Sequence, residues 1–202
     1  MPLSEDNNLH GAAPDYCPAA LLLIDWINDL EFEGAERLLP QALAAARATA
    51  ELRNRAKRAG VPVIYCNDNF GKWRSDFRSL LEHVLHDDVR GRPIGELLAP
   101  DEDDYFVLKP KHSGFHCTTL EVLLEHLGTS TLILTGIAGN FCVLFTAHDA
   151  YMRDFRLLVP ADCTASEVEA DHRHALGHMA KVCKAETRAS PGIDFASLRK
   201  AA

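Results

Sequence analysis

The chain has 202 residues, 47% of them hydrophobic and 25% charged, which is the composition of an ordinary globular domain able to bury a core without staples. Its 21 basic and 29 acidic side chains give a formal charge of −8, and no Lys/Arg stripe runs long enough to neutralise a series of phosphates, which excludes nucleic acid as a partner. Six cysteines lie scattered with no Cys-x-x-Cys pair, so neither a disulfide framework nor a zinc knuckle is expected. Glu5 and Asp6 stand where a secretion signal would carry positive charge, and the apolar run 21–24 is too short to cross a bilayer. A cytoplasmic protein with reduced thiols and no membrane association is the expectation.

In chain order, 19–24 is a continuous apolar run ending at Asp25, the pattern of a strand covered on both faces. Leu39, Ala42, Leu43, Ala46 and Ala50 then repeat at helical spacing, with Pro40 suited to a first turn and Gly60 closing the segment. Strands are expected at 61–66, 105–108, 131–135, 156–159 and, as a last short one, 184–187. Helices are expected at 76–86, 118–127, 141–153 and 166–182. The stretch 87–104, rich in Gly, Pro and acids, reads as an irregular surface excursion. Alternation of this kind predicts a three-layer α/β/α fold around a mainly parallel, six-stranded sheet.

Open parallel sheets bind ligands beyond the carboxyl ends of their strands, so Asp25, the segments 67–69, 109–112 and 138–142, and Asp162 are the polar positions to inspect. Cys142 follows the loop Gly136-Ile137-Ala138-Gly139, and Asn140 is placed to cap a helix whose first turn would hold the thiol. That helix end favours a thiolate by only about 0.3–1 kcal/mol, too little to ionise a thiol of ordinary pKa. Cys142 therefore needs a proton acceptor and a cation beside it, and Asp25 and Lys109, at other strand ends, supply them. Lys111 is a rival for the cation; the other five cysteines read as small buried residues.

The stretches Leu22-Leu23-Ile24-Asp25, Lys109-Pro110-Lys111-His112-Ser113-Gly114-Phe115 and Gly136-Ile137-Ala138-Gly139-Asn140-Phe141-Cys142-Val143 are the core of a wider match. Together with Thr146-Ala147-His148-Asp149-Ala150 and Val159-Pro160-Ala161-Asp162, they resemble the isochorismatase-like cysteine hydrolases over about 19–187. The resemblance implies a single Rossmann-like domain across 1–202, with 1–18 as an N-terminal extension and 188–202 as a C-terminal tail. It implies a catalytic triad of Asp25, Lys109 and Cys142, with Lys109 favoured over Lys111 by its four-residue offset from Ser113. It also implies a cis Ile137-Ala138 bond and an oxyanion hole made of the Ala138 and Cys142 amides. Two departures, Ile27 where the family often has Gln and Gly139 where Thr or Ser is usual, mean that the resemblance carries over the triad but not the substrate specificity.

The activity implied is cleavage of an amide or ureido carbon-nitrogen bond through a Cys142 thioester. Two rivals are a vinyl-ether hydrolase of the isochorismatase type, whose branch tends to carry Gly at the position of Cys142, and a non-catalytic or thiol-regulatory member. Trp73, Arg74, Lys111, His112 and Phe115 are candidate substrate-binding residues, and with Lys72 and Arg78 they suggest an anionic substrate. No cofactor is expected, because the loop 136–139 departs from the dinucleotide-binding pattern. No metal is expected either: Asn67-Asp68-Asn69 replaces the Asp-x-His of nicotinamidases, and His172, His174 and His178 read as a polar helix face. The family habit implies a homodimer or homotetramer, with a small molecule as the remaining partner.

Overall fold

The computed structural model describes residues 16–71 and 76–199. Six strands, β1 (Ala19–Ile24), β2 (Val63–Asp68), β3 (Tyr105–Lys109), β4 (Thr131–Ile137), β5 (Arg156–Leu158) and β6 (Thr164–Ala165), form one sheet. The order is β3-β2-β1-β4-β5, with β6 beside the carboxyl end of β4, and every pairing is parallel. The chain builds one half outward from β1 through β2 and β3 and the other through β4 and β5. The order therefore reverses between β1 and β4, which opens a crevice at their carboxyl ends. Two hydrogen bonds tie the strands there: Trp26 Nε1 donates to Thr135 Oγ1 at 3.1 Å, and that hydroxyl donates to the Leu22 carbonyl at 2.9 Å.

Alternation along β1 divides the core. Leu21 and Leu23 join the cluster under α1 (Ala35–Arg58), α2 (Phe77–His86), α3 (Arg92–Leu97) and α7 (Phe195–Leu198). Ala20, Leu22 and Ile24 face α4 (Leu120–His126), α5 (Leu144–Tyr151) and α6 (Glu169–Val182). With both faces covered, all six β1 residues are buried, which is why the run reads as continuously apolar. Among the described residues no helix is long and apolar enough to cross a membrane.

Several elements differ from expectation. Helix α1 begins at Ala35, so Pro40 lies inside it; its start is set by Gly34 at φ 90°, where a Cβ would come within 2.6 Å of the Glu167 carboxylate. The stretch 87–104 contains α3, which buries Ile94 against α1 and α2, and a loop fixed by charge. There Lys57 Nζ lies 2.7, 2.7 and 2.8 Å from Asp101, Asp103 and Asp104. The sixth strand is Thr164–Ala165; the segment 184–187 makes only a single parallel bridge, Leu158 to Glu186. Residues 188–199 pack on α1, with Phe195 and Leu198 buried and Arg55 donating to the Ser190 carbonyl at 2.9 Å.

Two glycines should respond in opposite ways to alanine. Gly136 has φ 141°, and an added Cβ would meet the Ile24 carbonyl oxygen at 2.2 Å, whereas Gly177 in α6 has nothing within 4 Å. Gly136→Ala is expected to cost at least about 2 kcal/mol, and Gly177→Ala to gain about 0.5–1 kcal/mol. Urea midpoints at constant slope measure both; an unshifted midpoint for Gly136→Ala contradicts the close strand approach.

Candidate active site

The site starts from Asp25, the residue at which β1 ends. Its backbone turns into the left-handed region at φ 53°, which Asp tolerates better than most residues, and its N–H donates to the Cys66 carbonyl at 3.0 Å. Asp25 as a whole is only 4% exposed. Oδ1 accepts the Asp68 N–H at 2.7 Å, and Oδ2 lies 2.8 Å from Lys109 Nζ. Lys109 ends β3 and reaches across β2 to make this pair, with no exposure to solvent. Its ammonium also lies 3.5 Å from Asp68 Oδ2 and 3.5 Å from Cys142 Sγ.

Cys142 comes from the other side of the crevice. The Ile137-Ala138 peptide bond is cis, and Gly139–Val143 forms a π-helical turn that runs into α5. Asn140 does not act as a side-chain cap; its N–H donates to Ser166 Oγ at 3.2 Å. Cys142 thus sits before the regular helix and not in its first turn. Gly139 has a packing reason: a Cβ would lie 3.1 Å from His172 Nδ1 and 3.2 Å from Ser166 Oγ, so the usual Thr or Ser would crowd both. Ile27, the other departure, is fully buried in the core beneath α1.

Burial and charge decide the resting protonation state. Burial raises the Asp25 carboxyl above its ordinary value, against the opposing pull of Lys109. For Lys109, burial works toward deprotonation, but the Asp25 carboxylate and then Cys142 and Asp68 outweigh it and hold the amine above its usual range. Burial and then the Asp25 carboxylate push the Cys142 thiol up, more strongly than Lys109 pulls it down. Lys109 is thus held as the ammonium and Cys142 as the protonated thiol, while burial and the Lys109 charge pull the Asp25 carboxyl in opposite directions.

A cavity of about 280 Å³ opens over these groups, walled by Phe32, Phe70, Phe141, His112, Asn28 and Glu167. A larger groove of about 520 Å³ between α1 and α6 contains none of the three and is not the cleft. Of the residues expected to bind substrate, His112 lines the cavity, with Nδ1 3.7 Å from Cys142 Sγ and its ring 5.8 and 5.3 Å from those of Phe141 and Phe145. Phe115 does not: it is buried, with the Arg153 guanidinium 4.9 Å from its ring centroid. Lys111 and Arg78 are exposed to solvent outside the cavity wall, while Trp73, Arg74 and Lys72 fall outside the described residues. Sequence reasoning missed Asn28, Phe32, Phe70, Phe141 and Glu167 as wall residues. Asp68 was in view as one of the strand-end polar positions and as a weak metal ligand, with no contact to Lys109 expected.

Asn67-Asp68-Asn69 does not fit a divalent ion. The Asn67 amide donates inward to the Ile27 carbonyl at 2.7 Å, and the Asp68 carboxylate accepts the Phe70 N–H at 2.6 Å with an ammonium beside it. Among the described residues the converging carboxylates of Asp101, Asp103 and Asp104 enclose the Lys57 ammonium. Cys117, expected to be buried, is exposed; Cys17, Cys66, Cys163 and Cys183 are buried, and burial pushes the Cys66 and Cys163 thiols up to about 12.

Residues 19–190 match the family model described as the isochorismatase domain. The chain belongs to this family of hydrolases. It is 41% identical over 167 residues, 83% of this chain and 91% of the relative, to the uncharacterized isochorismatase family protein YaaI of Bacillus subtilis. It is 28% identical over 164 residues, 76% of this chain and 75% of the relative, to maleamate amidohydrolase of Pseudomonas putida. Among solved structures it is similar to N-carbamoylsarcosine amidase from Thermoplasma acidophilum, with TM-score 0.68 and 25% identity over 87% of this chain and 98% of that one. Hydrolases of amides are thus among its relatives.

A buried ion pair is destabilised far more by losing one partner than by losing both. Lys109→Met is expected to cost about 3–5 kcal/mol, and Asp25→Asn/Lys109→Met to recover most of it. Urea denaturation of the four proteins closes the cycle; a single variant as stable as wild type contradicts the pairing.

Proposed function

We propose that this hydrolase cleaves the carbon-nitrogen bond of a small amide or ureido compound through a thioester on Cys142. Asp25 takes the thiol proton as Sγ bonds to the carbonyl carbon, and the displaced electron pair on oxygen is held by the Ala138 and Cys142 amides. When the carbonyl reforms, the carbon-nitrogen bond breaks and Asp25 returns the proton to the leaving nitrogen. Water then attacks the thioester, giving up a proton to Asp25, and the carboxylic acid leaves as the thiol is restored. Lys109 keeps Asp25 ionised before the attack and stabilises the sulfur while it carries charge.

The observation that carries this reading is the position of Lys109 Nζ, 2.8 Å from Asp25 and 3.5 Å from Cys142. A vinyl-ether hydrolase has no need of a thiol in contact with both charged groups, and a non-catalytic role has no need of the buried ammonium. A cavity of about 280 Å³ walled by three Phe rings suits a small, flat substrate. The Phe141 and Phe145 rings, about half exposed at the cleft mouth, offer apolar surface of the kind a homodimer or homotetramer covers.

Ammonia release from a panel of small amides and ureido compounds is the test. Cys142→Ala and Asp25→Asn are expected to stay folded and lose turnover by at least about 10³-fold. Substantial turnover by pure Cys142→Ala contradicts the mechanism.

The pH profile follows from the direction of the Asp25 shift. Asp25 must be ionised to accept the thiol proton, so kcat/KM falls as pH drops through its raised pKa. The acid limb should lie above the ordinary Asp value of about 3.9. It should stay in place in His112→Gln; a limb that moves with His112 would make that imidazole the proton acceptor.

A further inference from the structure

Helices α5 and α6 carry a histidine pair that the hydrolytic mechanism does not use. His148 lies on α5, six residues beyond Cys142 and so about 9 Å farther along the chain axis at helical rise. His178 lies on α6. Their Nε2 atoms stand 3.0 Å apart, with ring centroids at 5.0 Å and ring planes at 84°. Both residues are partly exposed, so solvent and ions reach them.

At 3.0 Å the Nε2–H of one ring faces the bare Nε2 of the other, which for two neutral rings means two different tautomers. The same separation suits chelation. Two nitrogens at about 2.05 Å from one ion stand about 2.9 Å apart at a right angle and about 3.3 Å apart at the tetrahedral angle. The observed distance lies between these limits.

We propose that His148 and His178 form a binding site for one divalent transition-metal ion, joining α5 to α6. Imidazole nitrogen selects borderline ions such as Zn²⁺, Ni²⁺ and Co²⁺ over Mg²⁺ and Ca²⁺, which take oxygen ligands. For the ion to enter, the donating ring moves its proton from Nε2 to Nδ1, so both lone pairs face the ion and no net proton is released. Solvent supplies the remaining ligands, which keeps the affinity well below that of a closed four-ligand site. The site is distinct from the catalytic set, which projects from strand ends and the π-helical turn. The two are nonetheless coupled through structure: α5 continues that turn, and α6 packs against it. An ion here would brace the helices that support Cys142.

Calorimetric titration of the full chain with NiCl₂, and separately with MgCl₂, tests the site. Wild type is expected to bind one Ni²⁺ and no Mg²⁺, and His148→Gln and His178→Gln to bind Ni²⁺ at least tenfold more weakly. His174→Gln and Cys142→Ala should bind as wild type does. No Ni²⁺ binding by wild type, undiminished binding by either pair variant, or loss in His174→Gln or Cys142→Ala overturns the proposal. The last two outcomes would place the ion on His174 and His178, four residues apart on α6, or on the thiol. Should one pair variant fail to fold, the other decides, with the conservative change to Asn at the first position as a further check: undiminished Ni²⁺ binding in either folded variant contradicts the site.

Discussion

A lysine ammonium with no exposure to water needs fixed carboxylates in place of its hydration shell, and Asp25 supplies the nearer one at 2.8 Å. At an effective dielectric near 20 the attraction at this distance is about 6 kcal/mol, while desolvating the two ions costs several kcal/mol each. These nearly cancel. The pair is therefore a poor source of stability and a strong constraint on position: β1, β2 and β3 must keep their register so that Lys109 can cross β2 and meet Asp25. Once they meet, the ammonium also lies within reach of the one sulfur that β4 delivers from the other half of the sheet.

The same electrostatics explain why this site would work through proton transfer and not through a preformed thiolate. Helix-end activation, the simplest route to a reactive cysteine, is weak here because α5 starts at Leu144, beyond the thiol. Burial and the Asp25 carboxylate both favour the protonated sulfur. A thiol in that state gains nucleophilicity only when its proton moves, and the carboxylate that holds the proton in place is also the group positioned to take it. In the proposed mechanism the same group would hold the thiol protonated at rest and take its proton on attack.

Much of this was legible in the sequence, for identifiable reasons. A run such as 19–24 can be apolar throughout only if both faces are covered, which points to a parallel sheet and makes the residues after each strand the ones to watch. Asp25, Lys109 and Cys142 follow from that rule and from the motifs around them. What sequence could not supply depends on contacts distant along the chain. The start of α1 is set by Glu167 lying over Gly34, the loop 101–104 by Lys57, and the placement of Phe115 in the core by the aromatic and cationic partners around it. The cavity wall is the least legible part, because Phe32, Phe70, Phe141 and Glu167 come from four separate loops or turns with no shared motif.

The covalent intermediate is the point on which the account stands or falls. Rapid acid quenching of the enzyme during turnover of an amide substrate, followed by intact and peptide mass spectrometry, detects an acyl group directly. The account predicts a mass increase equal to the acyl portion of the substrate, confined to the peptide containing Cys142 and absent from Cys142→Ala. Turnover with no adduct at any quench time, or an adduct on the exposed Cys117 with Cys142 unmodified, would contradict it.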